Sequence, residues 1–201
     1  MTSGVLTGFF TGLSLILAIG AQNALVLRQG LLRQHVLPLV LLCSFSDAIL
    51  ILAGVAGFGA LVGYFPWFPT VMLWGGAAFL IVYGALRFLA AWRSDYSADL
   101  AGGGSSLWAT LATGAAFTWL NPHVYLDTLA LMGAISTQFD GAARWAFGAG
   151  GIAASFTFFF ALGYGARLLA PLFQSSTAWQ RLDVLIGVVM WALAAKLVLS
   201  A

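Results

Sequence analysis

Long apolar runs separated by short polar connections dominate the chain. Six stretches, at about 5–27, 36–63, 71–92, 107–133, 146–170 and 183–199, are apolar enough to sit in hydrocarbon. A helix needs about 20 such residues to cross a bilayer. An open sheet cannot leave its edge groups unpaired in lipid. The predicted fold class is therefore an all-α integral membrane protein with six transmembrane helices. The first run has no Lys or Arg ahead of it and exceeds the roughly 7–15 apolar residues of a signal-peptide core, so it reads as a retained spanning helix. The connections leave no room for a soluble domain. The longest, 94–106, is rich in Gly, Ser, Ala and Asp and reads as a linker between two three-helix halves, 1–93 and 107–201.

Three is an odd number, so a second copy of such a half would be inverted. Inverted repeats that meet at a midplane site are a transporter architecture, and residues 1–201 read as one transmembrane transporter domain. Each half opens with a helix interrupted past its midpoint, by G-A-Q-N at 20–23 and by N-P-H at 121–123. Gly4, Gly8, Gly12 and Gly20, with Ala24, fall on one face of the first predicted helix; small residues at this spacing let helix backbones approach closely.

Composition supports lipid as the main solvent: 62% of residues are hydrophobic and 7% charged, against about 25% charged in soluble domains. The net charge of +2 and the lack of a basic run give no footprint for nucleic acid. Cys43 is the sole cysteine, which excludes an intrachain disulfide or dithiol redox couple. Lys and Arg concentrate on cytoplasmic connections. The odd connections hold Arg28, Arg33, Arg87, Arg93, Arg167 and Arg181, and the opposite side holds Arg144 and Lys196. This bias puts both termini outside. Trp67, Trp92, Trp108 and Trp145 fall near predicted helix ends, where amphipathic rings prefer the interface. His35 reads as a solvated loop residue.

The polar residues at depth carry the candidate chemistry. Asp47 has at least ten mostly apolar residues on either side, and a carboxylate there is costly enough to demand a cavity or a partner. Asp127 follows His123 by four residues, which on an α-helix places imidazole and carboxylate on one face; Asn121 and Thr128 lie on a neighbouring stripe. The pair could shuttle a proton, orient an amine or contribute to a metal site, although no second cluster stands ready to complete a metal shell. Pro122 removes a backbone N–H and clashes with the carbonyl of Thr118, kinking the helix. Gln22 and Asn23, loosened by Gly20, interrupt the first helix in the same way. Freed carbonyls and amide side chains suit a zwitterion, with half-helix N-termini attracting carboxylates and C-termini attracting ammonium groups. Ser14, Ser44, Ser46, Ser155 and Thr157 read as bonded within their own helices. No cofactor is expected.

These residues carry a family resemblance. I-G-A-Q-N-A-L-V-L-R-Q-G at 19–30, L-L-C-S-F-S-D at 41–47, W-G-G at 74–76 and T-W-L-N-P-H-V-Y-L-D-T at 118–128 are similar to the LysE-type basic amino acid exporters of bacteria, closest to their arginine exporter branch. R-W at 144–145 and V-M-W at 189–191 add to it. Relatives commonly read G-P-Q-N where this chain has Gly20-Ala21-Gln22-Asn23. The resemblance implies export of L-arginine, L-lysine and related basic amino acids across the bacterial inner membrane. Gln22, Asn23, Asp47, Asn121, His123 and Asp127 are then the substrate-binding candidates.

Moving a monocation out of a negative-inside cell costs about 2.3 kcal/mol per 100 mV. The chain has no phosphate loop for ATP, so a second gradient is expected, with Asp47 or Asp127 carrying an inward proton. Either a monomer or a homodimer is compatible with the sequence. Other readings remain open here: export of another small cation or a divalent metal, an intramembrane enzyme using His123 and Asp127, and a membrane scaffold.

Overall fold

The computed structural model describes residues 1–17, 20–57, 67–93, 105–121 and 124–199, and the described residues are helical with short turns. The helices are α1 (Thr2–Ile16), α2 (Ala21–Leu32), α3 (Val36–Ala56), α4 (Trp67–Arg93), α5 (Leu107–Trp119), α6 (Met132–Ser136), α7 (Gly141–Gly165) and α8 (Ser176–Leu199). A π-helical segment, Tyr125–Leu131, leads into α6, and a 3₁₀ segment, Ala166–Phe173, follows α7. The linker expected at 94–106 lies outside the described residues except for Ser105 and Ser106.

Local chemistry explains the boundaries. Pro38 lies in the first turn of α3, where its missing N–H costs no intrahelical bond. The helix ends at Gly57, whose φ of 96° is left-handed and whose N–H reaches the Gly54 carbonyl at 2.9 Å. Ser106 caps α5 by accepting from the Ala109 N–H at 3.3 Å. Pro171 sits in the 3₁₀ segment after α7, where an α-helix could not continue undisturbed. His35 is less free than the sequence suggests: it precedes α3 with a φ of 52°, and its Nε2 lies 3.0 Å from the Ser105 carbonyl.

Among the described residues, four helical stretches are long and apolar enough to cross a membrane, and the bent pair α1–α2 makes a fifth. The stretch expected to cross at 107–133 is divided between α5 and the π segment with α6, each too short to span alone. Outward faces are apolar: Leu6, Phe10, Phe45, Ile49, Ile81, Leu86, Leu185 and Val188 are all exposed. A helix face of this kind is stable against lipid rather than water, so this is a multi-pass membrane protein.

Lipid supplies little hydrophobic drive for helix association, so close packing must hold the bundle together. The most extensive pairs are α1 with α7 and α4 with α8, followed by α3 with α7. A Cβ at Gly8 would collide with the Phe147 carbonyl, and one at Gly150 with the Val5 carbonyl. The glycine face is thus the α1–α7 contact, but it stops at Gly12. Gly20 and Ala24 lie beyond the end of α1 and do not continue it. Trp191 Nε1 to the Ile81 carbonyl (3.1 Å) and Gln180 Nε2 to the Ala91 carbonyl (3.0 Å) pin α8 to α4.

Candidate functional site

The first interruption is a full break. α1 ends at Ile16, α2 begins after an extended Gly20 (φ −120°, ψ 168°), and the two axes differ by 84°. A carbonyl freed by such a break needs a partner that lipid cannot provide. Asn23 supplies one: its Nδ2 donates to the Ile16 carbonyl at 2.9 Å. Ala21, where the family commonly has proline, therefore does not prevent the break.

The second interruption follows α5. The Leu120 N–H still bonds the Ala116 carbonyl at 3.0 Å, and the Val124 N–H reaches back to the Asn121 carbonyl at 3.1 Å. Tyr125 Oη donates to the Trp119 carbonyl at 2.9 Å, and Trp119 Nε1 donates to Ser46 Oγ at 3.2 Å on α3. Beyond this point the backbone is π-helical, not the continuous α-helix that the sequence suggests. Single π turns occur often at functional sites. Pro122 and His123 lie outside the described residues, and with them the proposed kink and the His123–Asp127 pair.

Asp47 on α3 is 6% exposed, and Ser155 Oγ on α7 donates to its Oδ2 at 2.7 Å. Ser155 is thus not bonded within its own helix as expected, and Ser46 serves as an acceptor for Trp119. Ser14 and Thr157 do bond within their helices, to the Thr11 and Ala153 carbonyls.

A cavity of about 190 Å³ opens between the two interruptions. Gly20, Gln22, Asn23, Asp47, Asn121 and Asp127 all line it, so six of the eight sequence-named positions meet at one cavity. Apolar side chains, among them Phe79, Leu80 and Phe117, complete the lining. Gln22 Nε2 is a buried donor with no hydrogen-bond partner among the described residues. Lys196, in the last turn of α8, also lines the cavity. Sequence reasoning counted it only as a topological charge; its place in an otherwise apolar run, A-L-A-A-K-L-V-L, was the available signal. Among the described residues no three His, Cys, Asp or Glu side chains stand together as metal ligands.

A second charged group was not legible at all. Asp183 on α8 is fully buried, with Arg28 Nε of α2 at 3.5 Å and Arg87 Nη1 of α4 at 3.4 Å from the same carboxylate oxygen. Arg28, expected in a connection, is instead a buried residue of α2. Each guanidinium also lies over a ring, Arg28 over Trp179 at 5.4 Å and Arg87 over Tyr83 at 5.2 Å. Tyr83 packs edge-on against Phe117 at 4.9 Å, and Phe117 against Phe79 at 5.1 Å. An aromatic layer therefore links the cavity wall to the Arg28–Asp183–Arg87 cluster.

Comparison with known proteins gives this architecture a place. Residues 13–201 match the family described as LysE type translocator. The chain is 42% identical to the arginine exporter proteins ArgO of Salmonella paratyphi A (strain ATCC 9150 / SARB42), Salmonella enteritidis PT4 and Salmonella typhimurium. Each alignment covers 98% of this chain and 94% of the relative. No solved structure matches. A family match over nearly the whole chain, on a membrane bundle in which Asp47, Asp127 and Lys196 line a cavity, leads to one conclusion: the chain belongs to the LysE type translocators, and it is a transport protein rather than an enzyme.

Proposed function

We propose that this protein exports L-arginine, with L-lysine and related basic amino acids, from the cytoplasm in exchange for protons. The observation that carries the reading is the meeting of Asp47 and Asp127 at one cavity between two broken helices. Two carboxylates suit a cargo with two cationic groups, and the near full-length likeness to proteins named arginine exporters supports arginine as that cargo. Gln22, Asn23 and Asn121 offer polar partners around it, with Gly20 at the first interruption; His123 as a further binding residue and Pro122 as the second helix break belong to the same proposal. Asp47 and Asp127 hold either cargo or proton, so that the carrier reorients with one or the other.

The same reading has six crossings in the inner membrane, two inverted halves and both termini outside. Corresponding helices of the two halves pack in pairs, α3 with α7 and α4 with α8, which supports the repeat. In this orientation the Arg28–Asp183–Arg87 cluster lies on the cytoplasmic side of the cavity, where its separation would admit cargo.

The test is efflux from liposomes that contain the purified protein and labelled arginine. Arginine should leave, and faster when the exterior is acidic. Efflux indifferent to the pH gradient would exclude proton exchange, and no efflux above empty liposomes would overturn the export reading itself.

A further inference from the structure

The described cavity wall carries three charged side chains, and the sequence reading accounts for two of them. Asp47 and Asp127 are anionic; Lys196 is cationic and comes from α8, a different helix. A basic amino acid carries two cations and one anion, the inverse of this set. Two carboxylates alone would attract the guanidinium and the α-ammonium but repel the α-carboxylate. No ion pair joins Lys196 to Asp47 or Asp127 among the described residues. The N-terminus of α2 adds a second positive feature: Gly20 and Ala21 line the cavity, and the first turn has no side-chain cap. Its partial positive charge favours an anion nearby.

We infer that Lys196 binds the α-carboxylate of the cargo, alongside the uncapped start of α2, and that this contact distinguishes amino acids from the corresponding amines. The inference rests on the export reading above and sharpens it. The carrier should accept a zwitterionic cation and discriminate against a plain diamine of the same length. Asp47 and Asp127 then read the two cations, and Lys196 reads the acid.

The experiment uses counterflow of labelled arginine in proteoliposomes, competed by unlabelled arginine or by agmatine, which is arginine without its carboxylate. Wild-type protein should be half-inhibited by arginine at a concentration at least about tenfold below that needed for agmatine, as expected for one lost charge-assisted contact. Lys196→Met should bring the two concentrations together by weakening arginine, while agmatine, a dication relieved of one like charge, should bind no worse. Lys196→Arg should restore the preference. Equal inhibition of the wild-type protein by both compounds overturns the inference even if Lys196→Met fails to insert. So does a Lys196→Met variant that keeps the wild-type preference. Wild-type protein without any arginine counterflow would instead sink the export reading, so the two failures are distinct.

Discussion

The two broken helices meet the same requirement by different chemistry. In each, the carbonyl at the end of the first segment accepts a side-chain hydrogen bond from just beyond the break: Asn23 to Ile16 in one, Tyr125 to Trp119 in the other. The first break turns sharply into α2 and brings only neutral groups, Gln22 and Asn23, to the cavity. The second continues through a π segment and brings a charge, Asp127. Their anchors differ as well. α2 is held by Arg28 on buried Asp183, whereas the π segment and α6 lie against α3, with Gly54 touching Leu129 and Gly133. A helix can thus be opened in lipid by either device, provided each freed polar group finds protein. The charge on one wall can then be chosen independently of the break that forms it.

The largest expected effect separates the two anchors. Asp183→Ala removes the carboxylate that Arg28 and Arg87 share and should cost about 3–5 kcal/mol of stability. The measurement is thermal unfolding in detergent micelles. A melting temperature within a degree of wild type would mean the cluster contributes nothing to holding α2.

The two carboxylates should differ next. Asp47→Asn alters a buried group bonded to Ser155 and should reduce arginine export about 100-fold, while Asp127→Asn, on the open wall, should reduce it about tenfold. Initial rates of labelled arginine efflux give the ratio, and the reverse order would make the second break the dominant binding wall.

Close packing ranks third. A Cβ on Gly54 would collide with the Leu129 carbonyl, so Gly54→Ala should destabilise by about 1–3 kcal/mol through overpacking. Unchanged unfolding would show that the π segment is free to move away from α3.

The caps give the smallest and most telling contrast. Asn23→Ala and Tyr125→Phe should each cost about 1–2 kcal/mol by leaving a carbonyl unpaired. Only the first should also impair transport, because Asn23 lines the cavity and Tyr125 is not among its lining residues. Equal loss of transport in both variants would make the caps, rather than the cavity groups, the source of the defect.

Much of the candidate site was legible because lipid makes polar residues conspicuous. Gln22, Asn23, Asp47, Asn121 and Asp127 stand out in apolar runs, and any polar group at depth must face protein or a cavity. Their convergence on one cavity follows from that constraint. Ser155 was not legible as the partner of Asp47, since a serine can satisfy itself on its own helix and many do. Arg28 and Arg87 look like ordinary connection charges, and Asp183 like an interfacial acid. Nothing local announces that the three meet. The π segment was hidden too, because π and α helices draw on the same residues.

By itself, the sequence determined the solvent, the helical class, the interruptions and the family. Each of these depends on residues close together along the chain: the length of an apolar run, an Asn or a Gly within it, a motif of a dozen positions. Only the tertiary structure decided which charges share a wall and which share a clamp. Ser155 lies 108 residues from Asp47, and Asp183 lies 155 from Arg28 and 96 from Arg87. Lys196 reaches the same cavity as Asp47 and Asp127 from the last helix. Such meetings are set by how helices pack and which faces the glycines allow to approach, and that information is spread over the whole bundle rather than written at any one position.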